Sequence, residues 1–322
     1  MNEDNFNYTE EDTKWFIVLY ILLFQENEMN KNWNEFKSEL TYQNRFTSSH
    51  PIVEMIHKVA TDATYILKKD TILYRARIFS HNQYHNIISL YCDILGKTES
   101  EAKEFLSSID ALEDSYLFLS FKEGEQISTE KLKKAYEQWK DKPYKGFDSK
   151  NSGIPPAELV GAGRANPDHI GYLYLSEDEN TPIYEVRPTI GQMVSIASFR
   201  VQKNLRIYDF TKDIPINTDN CSEDLSWLFP FLSNKFSKPY NGKQEEYLPT
   251  QYLTETIKNI GFDGIRFKSA LNSNGINIVL FSEEYCKPFS SDLVEVKGMS
   301  LDIKKPEVYS AFACNEKEYE TV

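Results

Sequence analysis

Gly171-Tyr172-Leu173-Tyr174-Leu175-Ser176 is the stretch on which the fold turns. Its leucines and tyrosines alternate with the two-residue period of a strand, so Leu173 and Leu175 leave one face and Tyr172 and Tyr174 the other. Downstream, short apolar runs predict further strands at 193–201, 205–210, 264–267 and 276–281. Helices are expected between them at 222–236 and 249–260, the second ending at Gly261 with Leu253, Ile257 and Ile260 inward. Upstream the texture is helical. Glu10, Glu11 and Asp12 put negative charge at the start of a helix that carries the apolar run 15–24 to about residue 29. Pro51 opens a second helix, with Ile52, Met55, Ile56, Val59, Ala63, Ile66 and Leu67 at three- and four-residue spacing. A strand is expected over 71–79. From about 82 to 154 the chain reads as a charged helical insertion, with a capping box at Thr98-Glu99-Ser100-Glu101 and a helix face of Leu132, Ala135, Tyr136 and Trp139. The fold class is α+β: a domain of short strands and helices over 71–300, an α-helical segment before it at 1–70, and an acidic tail at 301–322.

The 322 residues suffice to bury a sizeable core. A net charge of −13 argues against a surface that tracks nucleic-acid phosphates, though not against a local basic pocket. Cys92, Cys221, Cys286 and Cys314 form neither a close ligand pair nor a dense disulfide framework, which fits reduced thiols and a cytoplasmic protein. Residues 1–12 are acidic and polar, unlike a secretory leader, and the apolar run 15–24 is half of a membrane span, so neither export nor membrane insertion is expected. His81 and His85 are four apart without a following glutamate, and no metal site is expected. Twenty Tyr and 20 Phe read first as packing.

Polar residues in three short segments stand out beside strand-like sequence, where a fold gathers groups into a cleft. Arg75 and Arg77, in Leu73-Tyr74-Arg75-Ala76-Arg77, leave the same strand face; they suit either bidentate grip of a pyrophosphate or a solvated face with carboxylate partners. Glu185, in Ile183-Tyr184-Glu185-Val186-Arg187-Pro188, follows Thr181-Pro182, an N-cap and first-turn pair that would put it in the first turn of a short helix. Ser269, in Phe267-Lys268-Ser269-Ala270, ends a strand. No Gly-x-Ser-x-Gly elbow or partner histidine marks it as a nucleophile, which leaves a hydrogen-bonding role or an ordinary turn serine. Gly161-Ala162-Gly163-Arg164-Ala165-Asn166-Pro167 lacks the third glycine of a dinucleotide fingerprint and precedes a strand, so it reads as a tight turn. Tyr172 and Tyr174 are open to stacking or to plain surface packing.

With the 161–167 turn ahead of the glutamate and Pro249-Thr250-Gln251 ahead of the serine, these blocks together resemble the RES-domain proteins, named for Arg, Glu and Ser. The resemblance runs over roughly 71–281, strongest at 73–77, 155–188 and 247–281. It implies a compact domain similar to ADP-ribosyltransferases and a bacterial toxin or defence-type enzyme. The implied chemistry breaks NAD+ at the nicotinamide–ribose bond by phosphorolysis or hydrolysis; transfer of ADP-ribose to a protein is the alternative acceptor reading. Carried onto this chain, Arg75 grips substrate, Glu185 stabilises the cationic sugar and Ser269 positions phosphate or ribose. Arg77, Arg164, Asn166, Tyr172, Tyr174 and Asn277 surround the dinucleotide. NAD+ is then a substrate, inorganic phosphate a co-substrate, and no cofactor is needed. An antitoxin or regulatory protein is the implied partner, with homo-oligomerisation open; the helical front and the insertion resemble larger members of the family. The rival class is a non-catalytic protein that senses a nucleotide. Retention of all three signature residues favours catalysis.

Overall fold

Eight short strands form one sheet in the computed structural model, which describes residues 10–79, 98, 100–101, 141–212, 224–237 and 244–298. In chain order they are β1 (Thr64–Leu67), β2 (Ile72–Phe79), β3 (Leu173–Ser176), β4 (Met193–Val201), β5 (Leu205–Asp209), β6 (Gly264–Lys268), β7 (Ile276–Leu280) and β8 (Cys286–Glu295). The sheet order is β1-β5-β6-β7-β3-β2-β4-β8. Neighbours run antiparallel except β5 and β6, which are parallel. Among the described residues the α-helices are α1 (Glu10–Tyr42), α2 (Pro51–Lys58), α3 (Ser149–Ser152), α4 (Thr181–Val186), α5 (Asp224–Ser237) and α6 (Leu248–Asn259). The class is α+β, as the alternation of the sequence predicts. Among the described residues no helix is long and apolar enough to cross a membrane.

Alternation along the strands feeds two cores. Tyr208, Ile265, Phe267 and Val279 pack on one face with Phe36 of α1, Met55 and Ile56 of α2, Phe236 of α5 and Ile257 of α6. Leu73, Leu173, Leu175, Phe199, Ile207, Ile278 and Leu280 fill the other. Each such side chain contributes about 1.5–3 kcal/mol on burial. The N-terminal helices therefore find the surface their apolar stripe requires on this same chain, chiefly against α5 and α6.

The seam between β3 and β2 matters most for function. Tyr74 opposite Ser176 is the one pair of that ladder, whereas β2 and β4 pair over eight positions, Ile72 to Phe79. Beyond Tyr74 the two strands part. The sheet is thus two half-sheets, β1-β5-β6-β7-β3 and β2-β4-β8, joined at one rung.

Several sequence expectations are corrected. The first helix does not stop near residue 29 but runs to Tyr42, since no Gly or Pro interrupts it and Trp33, Phe36 and Leu40 gain burial. The second ends at Lys58; Ile66 and Leu67 belong to β1, where they leave opposite faces, Ile66 exposed and Leu67 buried. A helical spacing match over those residues competed with the strand-favouring run Thr64-Tyr65-Ile66, β-branched and aromatic, and pairing with β5 decided it. β1, ahead of residue 71, is thus an edge strand of the main sheet. β8 was not anticipated, because Lys287, Pro288, Asp292 and Glu295 mask its pattern; polar residues and proline suit an outer strand. The capping box forms, with Thr98 N donating to Glu101 Oε2 at 2.8 Å. The rest of the expected insertion up to residue 140, including the Leu132–Trp139 face, and the 301–322 tail lie outside the described residues.

Residues 141–154 are fastened to the sheet. Gly146 N donates to Ser291 Oγ at 3.1 Å and Phe147 N to Ser195 Oγ at 2.9 Å. A Cβ at Gly146 would sit 2.1 Å from Ser195 Oγ, so only glycine allows this approach. Asp148 then caps α3 through Asn151 N, which delivers the carbonyls of residues 151–153 to β2.

Candidate active site

A cavity of about 360 Å³ opens at the seam. The adjacent residues Arg75 and Ala76 both line it, as do Tyr174, Leu175 and Ser176. Successive strand residues leave opposite faces, so this lining requires the ladder to be open there. Gly163, Arg164, Glu185, Tyr247, Phe267 and Asn277 supply most of the remaining wall. Phe267, Asn277, Ser176 and Tyr74 are successive partners across β6, β7, β3 and β2 and form one cross-strand row beneath the site.

Glu185 is the fifth of the six residues of α4, in its last turn and not its first. The N-cap is Asn180, and Asp178 serves the helix start from outside it, accepting from Asn180 N at 2.9 Å and Thr181 N at 2.8 Å. Thr181 is therefore inside the helix, and its hydroxyl accepts from Asn272 Nδ2 at 2.8 Å, which ties the loop after β6 to α4. From the last turn of α4, Glu185 lines the cavity. Its Oε1 accepts from Ser269 Oγ at 2.8 Å and Asn277 Nδ2 at 2.7 Å. Its Oε2 has no hydrogen-bond partner among the described residues.

Ser269 follows the end of β6, as the sequence predicts, but it is not among the residues that line the cavity. Its hydroxyl gives its proton to Glu185 and accepts from Leu271 N and Asn272 N, each at 3.1 Å. One donor and two acceptor positions are all a hydroxyl has, so Ser269 holds the carboxylate and has no capacity left for a ligand.

Across the cavity, Arg75 Nη1 donates to Ser152 O at 2.8 Å and to Gly153 O. Nε and Nη2, the edge suited to a bidentate anion, have no partner among the described residues. Burial first, and then the charge of Arg77, push the guanidinium down to about 10 from its usual 12.5. It stays cationic at neutral pH. Arg77 shares its strand face but not its surroundings: Nη1 donates to Asn151 O, the guanidinium stands 5.4 Å from the Phe147 ring centroid, and the residue does not line the cavity.

The 161–167 turn forms the third wall. Gly163 N donates to Asn166 O at 2.8 Å, and Gln251 Nε2 reaches from α6 to Gly163 O and Asn166 O, both at 2.8 Å. A Cβ on Gly163 would lie 2.5 Å from Asn166 Oδ1 and 2.6 Å from the Tyr174 hydroxyl. Arg164 lines the cavity and is steadied by the last carbonyls of α5, Phe236 O at 2.9 Å and Ser237 O at 3.0 Å. Asn166 is buried and braces Tyr174, whose hydroxyl donates to Asn166 Oδ1 at 2.7 Å. Burial pushes the Tyr174 phenol up to about 12, so it remains protonated.

The two tyrosines separate. Tyr174 lines the cavity, while Tyr172 is buried against α6, donating to Glu255 Oε1 and accepting from Lys258 Nζ at 3.0 Å. Burial and then Glu255 raise the Tyr172 phenol well above its ordinary value. Arg75, Arg164, Tyr174, Glu185 and Asn277 thus converge on one cavity. Ser269 and Asn166 stand behind it, and Arg77 and Tyr172 lie away from its lining. Ser176, Tyr247 and Phe267 were not singled out from sequence. Ser176 closes the alternating 171–176 stretch and could have been found as the residue opposite Asn277.

A family model described as the RES domain matches residues 136–296, half of the chain. Glu185 and Ser269 fall inside that span and Arg75 ahead of it, so it is the fold that carries Arg75 to the cavity. No curated protein matches the chain. A chain in the crystal structure of the M. tuberculosis MbcT–MbcA toxin–antitoxin complex is similar at a TM-score of 0.34 and 8% identity, over 77% of this chain and 97% of that one.

Proposed function

The chain belongs to the RES-domain family, and on that premise we propose that it is a toxin-type enzyme that consumes NAD+ at the nicotinamide–ribose bond. The observation that carries this reading is a half-used carboxylate and a half-used guanidinium facing one cavity: Glu185 Oε2 and Arg75 Nε and Nη2 are without partners among the described residues. NAD+ brings the complements of both, a pyrophosphate for the guanidinium and a ribose carbon that becomes cationic.

As the bond from the ribose carbon to the pyridinium nitrogen breaks, its electron pair neutralises the nitrogen and nicotinamide leaves without needing a proton. Positive charge builds on the sugar. A carboxylate already fixed by two donors stabilises that charge without reorganising, which is where such groups gain most. Arg75 holds the pyrophosphate by its free edge, Arg164 offers a second cation, and Tyr174, Tyr247 and Phe267 supply aromatic surface for a base. An oxygen of phosphate or of water then bonds to the same carbon, giving ADP-ribose phosphate or ADP-ribose; water also releases a proton. In this reading the protein acts in the cytoplasm, inorganic phosphate is a co-substrate and an antitoxin or regulatory protein restrains it. A division between a helical front, α1 and α2, and a catalytic region belongs to the same proposal, with β1 on the catalytic side of the boundary that the sequence sets near residue 70.

Incubating the purified chain with NAD+, with and without phosphate, and identifying products by mass spectrometry tests it. Nicotinamide release is expected; phosphate-dependent ADP-ribose phosphate would identify the acceptor. Intact NAD+ under both conditions would overturn the assignment.

A further inference from the structure

Glu185 is gripped by two side chains: Ser269 is held by backbone amides, and Asn277 by another side chain. Asn277 is 7% exposed; its Nδ2 donates to Glu185 Oε1, and its Oδ1 accepts from Ser176 Oγ at 2.8 Å. Ser176 is 2% exposed and occupies the last position of β3. It is the cross-strand partner of Asn277 on one side and of Tyr74, at the single rung of the seam, on the other. Its backbone therefore stands where the two half-sheets meet.

From this geometry we infer that Ser176 is a positioning residue for Glu185, acting through Asn277. The inference rests on Glu185 being the group that faces the reacting sugar. The hydroxyl sends its one proton to the amide oxygen, so the amide must present its NH2 to the carboxylate. The reverse orientation would set Asn277 Oδ1 against Glu185 Oε1, two acceptors with no proton between them. Polarisation runs the same way along the chain, from Ser176 to Asn277 to Glu185, and strengthens the last bond. Without the hydroxyl, a buried amide oxygen loses its protein partner. The amide then rotates toward water and draws Nδ2 from the carboxylate, leaving Glu185 on Ser269 alone.

Two readouts test this, one of them independent of turnover. The side-chain NH2 cross-peaks of Asn277 in a 1H–15N spectrum are identified as the pair lost in Asn277→Asp. Ser176→Ala is expected to speed their hydrogen exchange by about tenfold or more, while the backbone amides of β3 and β7 keep their protection. In NAD+ consumption, Ser176→Ala is expected to lower kcat by about tenfold with KM within about twofold, and to cost nothing further in an Asn277→Ala background. A purely structural role would lose protection across β3 and β7 together and add its effect to that of Asn277→Ala. Unchanged amide exchange in folded Ser176→Ala, or additive losses, would overturn the inference. If the wild-type chain leaves NAD+ intact, the reaction assignment fails by itself and the amide exchange still decides the role of Ser176. Should the alanine variant not fold, Ser176→Cys, similar in shape but a weak donor, reads both quantities in the same direction.

Discussion

Arg75 and Arg266 belong to the same sheet and differ in what surrounds them. Arg266 on β6 is closed on every side: Nε and Nη2 meet Glu177 at 2.7 and 3.0 Å, Nη1 meets the buried Asp209 at 3.0 Å, and the guanidinium lies 4.8 Å from the Tyr65 ring centroid. Burial alone would lower its basicity, but Glu177 and Asp209 outweigh burial and raise it. Arg75 on β2 has backbone carbonyls on one nitrogen, another arginine for a neighbour, and a lowered value of about 10. The contrast separates two uses of a partly buried cation. With its charge answered inside the protein, Arg266 ties β6 to β3 and β5; with its charge unanswered, Arg75 is suited to an anion that arrives from outside.

The sharpest way to break that contrast is to neutralise each arginine and watch stability. Arg266→Met strips two carboxylates of their counter-ion, one on a residue 1% exposed, and is expected to cost about 3 kcal/mol or more in denaturant unfolding. Arg75→Met removes a cation that burial disfavours, so its midpoint is expected to stay put or rise. A comparable loss from both would erase the distinction.

On the opposite wall, Glu185→Gln keeps an acceptor for Ser269 and Asn277 and so keeps the fold. Turnover of NAD+ is expected to fall by about a hundredfold or more, with binding retained, because the missing charge is needed late in the reaction. A folded variant with near-wild-type consumption would remove Glu185 from the chemistry.

Ligand binding should then distinguish neighbours on one strand. Arg75→Ala is expected to weaken NAD+ by about 1.5–3 kcal/mol, and Arg77→Ala by less, since Arg77 is away from the cavity lining. Calorimetric titration of both variants decides which arginine meets the substrate.

The smallest effect is on pH. A cation whose folded value lies near 10 grips an anion fully below that pH and loses it above, so pyrophosphate affinity is expected to drop about fourfold between pH 8 and 10.5. Stability runs the opposite way for the same group: its folded value lies below the unfolded one, so its contribution grows as pH rises beyond 10. A flat affinity over that range, in protein that remains folded, would mean Arg75 does not carry the binding.

Much of this could be read from the chain. Two-residue alternation determined β3, β6 and β7 and the two faces they feed; Gly261 marked the end of α6; and family blocks brought out Arg75, Glu185 and Asn277 from a background of 36 basic and 49 acidic residues. Those signals are local, and local periodicity survives in sequence. What sequence could not supply is which neighbours close on which side chain. Arg75 and Arg77 are equivalent by periodicity, and only the open seam beside Ser176 and the carbonyls of residues 151–153 make one a wall of the cavity and turn the other away. Ser269 carries the family's name yet spends its hydroxyl on Glu185 and two backbone amides, while the unremarked Ser176 takes up the far end of the same hydrogen-bond chain. Residue types and their spacing determined the strands; the number of rungs between β2 and β3, set by packing on both faces at once, decided where the site is and which polar groups in it remain unpaired.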